Sequence, residues 1–304
     1  MAAGARLIRM RVNVPTLQTR TALNRVQMVF LVLAVLTFAV GFRDRTDLTL
    51  TAFKFLSGVR VLVKERISAV AAPQPGSIVW SADMETGDLS QWSLPDVPGG
   101  PNAGGGVFTS GIAEATVDRL AHTGGHSAKL SITTPSVPTS GTRLFRWKES
   151  HAYPKLYYSA WYYFPRRYVP DDSPSWWNVF QWKSKHAAGN DPFFALNVGN
   201  RANGAMYFYL YDQNTKSSYG QTLKDIPDQQ WVRVEAFYVC AGDKTGHVAF
   251  WQDGVQIFDV ANAQTRYPDG GCEWSINNYS GSLDPRRADI YVDDAAICSG
   301  GRCP

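Results

Sequence analysis

Cysteine and histidine are scarce in this chain, and each shortage removes a class of function. The 304 residues include four cysteines and five histidines. There is no CxxC, so a zinc centre is set aside. Concentrated positive charge is missing from the main body of the chain. The net charge is +4, but residues 1–76 hold 11 Lys/Arg against 3 Asp/Glu while residues 77–304 hold 19 against 23. Phosphate-driven binding needs a basic surface on the folded domain itself, so nucleic acid is not an expected partner. Paired acids are also lacking: no strand reads Glu-x-Asp-x-x-Glu, Asp83 and Glu85 alternate only at an opening edge, and Glu235 stands alone. A glycoside hydrolase needs two carboxyl groups roughly 5 to 9 Å apart and finds no support. No motif for a serine or cysteine nucleophile occurs.

One long apolar run is present. Val26–Phe42 contains no charge and follows Arg6, Arg9, Arg11, Arg20 and Arg25. Its length is at the short end of what crosses about 30 Å of hydrocarbon, and the basic flank puts the N-terminus inside. The expectation is a basic cytoplasmic tail over 1–25, a transmembrane signal anchor over 26–42 and a juxtamembrane connector over 43–76. A cleaved signal peptide is the competing reading. Ala71–Gly76, AAPQPG, breaks any helix and marks the boundary of a domain over 77–304. The membrane is thus an expected partner, and the domain is expected outside the cytoplasm, at the cell surface or secreted if the helix is cleaved.

The cysteines agree with that compartment. Cys240, Cys272, Cys298 and Cys303 all lie in the C-terminal quarter. Two disulfides are expected, with three pairings open. Cys298–Cys303, closing a short loop, and Cys240–Cys272, tying late strands, are favoured.

From residue 77 no run has a sustained helical period. Thirteen short β-branched or aromatic runs alternate with Gly, Pro, Asn and Asp clusters, and Asp253-Gly254 between two of them is a strong hairpin signal. A dozen or so strands in one domain imply an all-β two-sheet sandwich or jelly roll. Aromatic residues make up 13% of the chain, and their arrangement suggests a ligand surface. In WWNVFQWKSK, Trp176–Lys185, a two-residue period puts Phe180 and Trp182 on one face and Val179, Gln181, Lys183 and Lys185 on the other. In Ala205–Tyr211 the phenols of Tyr207, Tyr209 and Tyr211 share a face, which Trp161, Trp177 and Asn197 are expected to join. Amide and ammonium groups beside Tyr and Trp rings suit an anionic, ring-shaped ligand such as an acidic sugar.

These residues carry a family resemblance. Asp83–Trp92, DMETGDLSQW, with YYSAWYYFP, NVFQWKSK, HVAFWQDGVQIFD and IYVDDAAI, resembles concanavalin A-like jelly-roll proteins, including heparin-lyase-like polysaccharide lyases, over most of 77–298. The resemblance implies a carbohydrate-active protein, either a lyase acting by β-elimination on a uronate polysaccharide or a non-catalytic lectin-like binding and adhesion module. Where such lyases carry Gln-x-His, this chain has Gln181-Trp182-Lys183. For their Arg-x-Glu-x-Arg strand the nearest match is Thr142–Arg146, in which Arg143 and Arg146 fall on opposite faces and only one can share a groove with Gln181. For Lys-x-Gly-x-Tyr it has Ser275–Tyr279, keeping only the tyrosine. The expected catalytic set is Tyr279 as base, acid or both, Gln181, Lys183 and Arg146 to neutralise the carboxylate, and His186 as a substitute for the absent histidine. First and last strands are often neighbours in jelly rolls, so Asp83, Glu85, Asp293 and Asp294 are expected to meet and hold a structural Ca²⁺.

Overall fold

The computed structural model describes residues 75–93, 104–134, 139–147, 149–170 and 176–304. The expected tail, transmembrane anchor and nearly all of the connector lie outside these residues. Among the described residues no helix is long and apolar enough to cross a membrane.

The alternating runs become strands, and the strands form two sheets. In chain order they are β1 (Ser77–Ala82), β2 (Gly105–Ser110), β3 (Ile112–Asp118), β4 (Ser127–Thr133), β5 (Ser140–Arg146), β6 (Lys155–Tyr163), β7 (Trp177–His186) and β8 (Gly189–Asn200). There follow β9 (Met206–Asp212), β10 (Ser217–Tyr219), β11 (Trp231–Val239), β12 (Gly246–Gln252), β13 (Val255–Ala263), β14 (Glu273–Ser280) and β15 (Arg287–Ser299). A single helical turn, α1 (Glu149–Ala152), follows β5. One sheet runs β13-β12-β11-β6-β15-β4-β3, with β1 also paired to β15; the other runs β10-β9-β8-β7-β14-β5-β2. Every pairing within the two sheets is antiparallel.

The space between the sheets is filled by rings from both. Trp182 of β7 stacks on Tyr238 of β11 at 4.0 Å, Phe180 meets Phe250 of β12 at 5.3 Å, and Trp274 of β14 meets Tyr158 of β6 at 5.0 Å. Such pairs add about 0.5–1.5 kcal/mol each beyond the area they bury. They fix which face of β7 and β14 is core, and so leave the opposite face for a ligand.

The hairpin expected at Asp253-Gly254 joins β12 to β13, with both residues at positive φ, 48° and 79°. Two edge strands have no counterpart in the sequence pattern. β10 has three residues, and β2 begins in glycine where the pattern reads as turn. A side chain at Gly105 would fall 1.8 Å from the Phe145 carbonyl oxygen, so only glycine lets β2 lie this close to β5. Cys240 pairs with Cys272 and Cys298 with Cys303. The latter loop presents Arg302, which forms an ion pair with buried Glu235 and whose carbonyl accepts the Gly76 N–H at 2.7 Å.

Candidate active site

The outward face of the β10-to-β2 sheet forms an open groove of about 670 Å³, lined among others by Arg143, Trp176, Gln181, Lys183, Tyr209, Tyr211 and Tyr279. Register places these side chains in rows across the strands. Gln181 stands opposite Ser275 on one side and Ala195 on the other, and Ala195 stands opposite Tyr211. Small Ala195 therefore leaves a pit between Gln181 and Tyr211. A second row joins Tyr279, Asn178, Asn197 and Tyr209, and Asn277, opposite Arg143, reaches it through its side chain. Its amides are linked: Asn277 Nδ2 donates to Asn178 Oδ1, and Asn178 Nδ2 donates to Asn197 Oδ1 at 3.2 Å. This buried amide chain stiffens the groove floor.

The lining has two cations and no carboxylate. Burial and the nearby Arg143 guanidinium hold the Lys183 ammonium below its usual range. Burial likewise lowers Arg143 and pushes the Tyr209 phenol up to about 12. Gln181 Nε2 and Arg143 Nε, both buried, have no protein acceptor. Buried donors are normally paired, and these two side chains lie in the groove lining.

Tyr279 also lines the groove. Its ring lies under the Arg143 guanidinium at 4.7 Å and against Trp176 at 4.8 Å, and its hydroxyl donates to Thr139 Oγ1 at 3.2 Å. The rows of Tyr279 and of Gln181's partner Ser275 are four residues apart along β14, or about 13 Å of strand. The two open onto one groove but face different parts of it.

Several expected residues lie elsewhere. Trp177 is fully buried between the sheets and donates from Nε1 to Asn278 Oδ1 at 2.8 Å. A bulge between Asn178 and Phe180 adds a residue to β7 and reverses the parity, so Trp177 faces the core and Asn178 the groove. Trp161 belongs to β6, in the opposite sheet, where His122 stacks on it at 3.8 Å. Arg146 takes the core side of β5: 1% exposed, it donates to Glu149 Oε1 at 2.7 Å and to the Trp92 carbonyl at 2.8 Å, and Arg143 takes the groove. His186, at the end of β7, packs on Tyr267 at 4.0 Å and approaches Asp191 at 3.5 Å, sharing the Ser184 side of the strand rather than the Lys183 side. Tyr207 keeps the face expected of it, covered by the Arg201 guanidinium at 4.5 Å.

β1 and β15 are neighbours as expected, yet their acids do not fit a calcium cage. Glu85 Oε1 accepts the N–H groups of Gly125 and His126, Asp293 Oδ2 accepts that of His122 at 2.7 Å, Asp294 accepts the Thr123 hydroxyl, and Asp83 Oδ1 accepts an N–H of Gln91 Nε2 at 2.9 Å. Calcium needs roughly six to eight oxygens free to turn toward it, and these are turned toward protein donors. Among the described residues no group of three or more His, Cys, Asp or Glu could hold a metal ion.

Comparison with known proteins bears on the groove. A family model described as polysaccharide lyase matches residues 84–283. Among solved structures, the chain is similar to the endo-β-1,4-glucuronan lyase of the fungus Trichoderma reesei, with 15% identity and a TM-score of 0.54 over 73% of this chain and 95% of that one. It is also similar to a mutant of the alginate lyase Aly36B in complex with an alginate trisaccharide, with 10% identity and a TM-score of 0.50 over 74% and 98%. At these identities the likeness speaks for the fold. No curated protein matches the chain in sequence.

Proposed function

The chain belongs to the polysaccharide lyase family, and on that premise we propose that its groove binds an acidic, uronate-containing polysaccharide and cleaves it by β-elimination. The observation that carries this reading is a groove lined by the basic side chains of Arg143 and Lys183 and by Gln181, with no lining carboxylate. Elimination requires the carboxylate at C6 to be neutralised so that the C5 proton becomes acidic, a base for that proton and an acid for the leaving oxygen. Gln181 and Arg143 hold the carboxylate. Lys183, two residues from Gln181 on the same face and with its amine form favoured by burial, removes the C5 proton. The electron pair becomes the C4–C5 double bond, the C4–O bond breaks, and the Tyr211 phenol across Ala195 protonates the departing oxygen. Trp176 and Tyr279 grip a neighbouring sugar.

We further propose that residues 1–76 anchor this domain to the membrane with the groove outside the cytoplasm. The arginine-flanked run 26–42 and the two disulfides support that compartment. A second reading, a non-catalytic binding module, is favoured by the lysine standing where related lyases carry histidine. One experiment separates the two: incubation with alginate, glucuronan, heparin and hyaluronan, following ultraviolet absorbance of the unsaturated product. Product formation lost in Lys183→Ala and Tyr211→Phe supports the lyase. Retained binding with no product from any polymer leaves the binding module.

A further inference from the structure

The groove continues past Lys183. A second depression of about 230 Å³ shares Arg143 and Lys183 with the first and adds Phe108, Phe145, Trp147, Asn190 and Glu273. Glu273 is the only carboxylate in either lining. It is the register partner of Lys183 across β14 and β7, so the two side chains rise from adjacent strands on one face. Asn190, on β8, donates from Nδ2 to Glu273 Oε2 at 2.9 Å. An acid half-buried in a groove built for an anion is costly unless it does something there. It makes no salt bridge of its own within 4.0 Å among the described residues; burial pushes its carboxyl above the usual carboxylate range, against the pull of Asn190 and of the cations at Lys185 and Lys183.

We propose that Glu273, held by Asn190, is an electrostatic positioning residue for Lys183: it draws the lysine side chain to the junction of the two depressions and balances its charge there. This inference rests on the reading of Lys183 as the group that removes the C5 proton. Arg143 from β5 and Glu273 from β14 face Lys183, Asp191 of β8 acts on it from the other side of the sheet, and the groups acting on Glu273 include Lys185 from β7 and His151 from α1. Arg143 and burial favour the neutral amine, whereas Glu273 and Asp191 favour the ammonium. Glu273 therefore opposes the drop that burial imposes and keeps the lysine basic enough to hold the proton it takes. When a uronate carboxylate arrives, it adds a second negative charge near Lys183, and the amine becomes a stronger base at the moment it is needed. After elimination the ammonium passes its proton to solvent, and the Tyr211 phenolate is reprotonated from solvent.

The test uses the full chain with ¹³C-labelled lysine, reading the Lys183 titration directly by NMR, alongside pH profiles of kcat and KM on whichever uronate polymer is turned over. Glu273→Gln should lower the midpoint of Lys183 by about one unit, on the order of tenfold in proton affinity. The acid limb of kcat/KM should move down by the same amount, kcat should fall, and KM should not rise, because a charge that repels the substrate has gone. Glu273→Asp should recover part of the shift. Asn190→Ala, which frees the carboxylate without removing it, should give a smaller shift in the same direction and serves if Glu273→Gln does not fold. An unmoved Lys183 midpoint in the folded Glu273→Gln protein, or in the folded Asn190→Ala protein where only that variant folds, overturns the inference. A shifted midpoint with no product from any polymer supports the pairing while overturning the lyase reading.

Discussion

The two arginines of β5 give a sharp test, because exchanging a stability effect for a binding effect depends on one residue's parity. Arg146 is 1% exposed, donates to Glu149 and to the Trp92 carbonyl, and lies 4.7 Å over the Trp80 ring. Arg146→Ala breaks the ion pair with Glu149, a carboxylate 2% exposed. Breaking a buried pair from one side costs about 3–5 kcal/mol. For a domain of this size each kcal/mol moves the melting temperature by about 2–4 °C, so a drop of roughly 6–20 °C is expected in a thermal scan. Glycan affinity of the protein that stays folded should not change. Arg143→Ala should do the reverse: a melting shift of a few degrees at most, with affinity for an acidic oligosaccharide falling about 10- to 100-fold, the worth of a hydrogen bond to a charged group. Calorimetric titration at a temperature where both variants are folded decides the matter. Normal melting with lost affinity in Arg146→Ala would refute the assignment of faces, and with it the groove as described.

Lys183→Ala removes the base and should lower kcat by about 10²- to 10⁴-fold while binding of an acidic oligosaccharide changes far less; an equal loss of binding to acidic and neutral glycans would make the lysine structural. Gly141→Ala puts a Cβ 2.2 Å from Tyr279 Cδ2, so the ring must tilt by about 1 Å, and oligosaccharide affinity should fall while overpacking costs about 1–3 kcal/mol in denaturant titration. Reduction should lower the melting temperature, and the 32-residue separation of Cys240 and Cys272 makes that bond worth more, about 4 kcal/mol against about 2 for Cys298–Cys303; separate Cys→Ala pairs check the order. Burial pushes Asp293 up to about 6. The folded protein thus holds this proton more tightly than the unfolded chain, so the group's stabilising effect is complete below about pH 4 and lost as pH rises toward 6, and Asp293→Asn should flatten stability over that window.

What the sequence made legible follows from periodicity. Met206, Phe208 and Leu210 against Tyr207, Tyr209 and Tyr211 is an unbroken alternation, and β9 has those two faces. β7 was legible only from Phe180 onward, because its bulge adds a residue that no two-residue count can anticipate, and Trp177 consequently lies in the core. The spacing of Arg143 and Arg146 established that one of them faces inward. Which one depended on Leu144 and on the Glu149 carboxylate waiting beyond the strand, a tertiary fact. Trp161 shows a different limit: alternation gives the face of a strand but not the sheet it joins, and β6 pairs with β11 and β15.

The same bulge explains why the amides of the groove are where they are. Without it Asn178 would point between the sheets and Val179 into the groove, and the chain Asn277–Asn178–Asn197 could not form. With it, β7 presents Asn178, Gln181 and Lys183 on one side while keeping Trp177, Phe180 and Trp182 on the other. One inserted residue thus satisfies both layers at once: the rings that hold the sheets together keep their core positions, and three polar side chains in succession meet the ligand. A deletion at Val179 would trade these sets, exposing Trp177 and burying Asn178, so the residue that touches no ligand is the one on which the polar face of β7 depends.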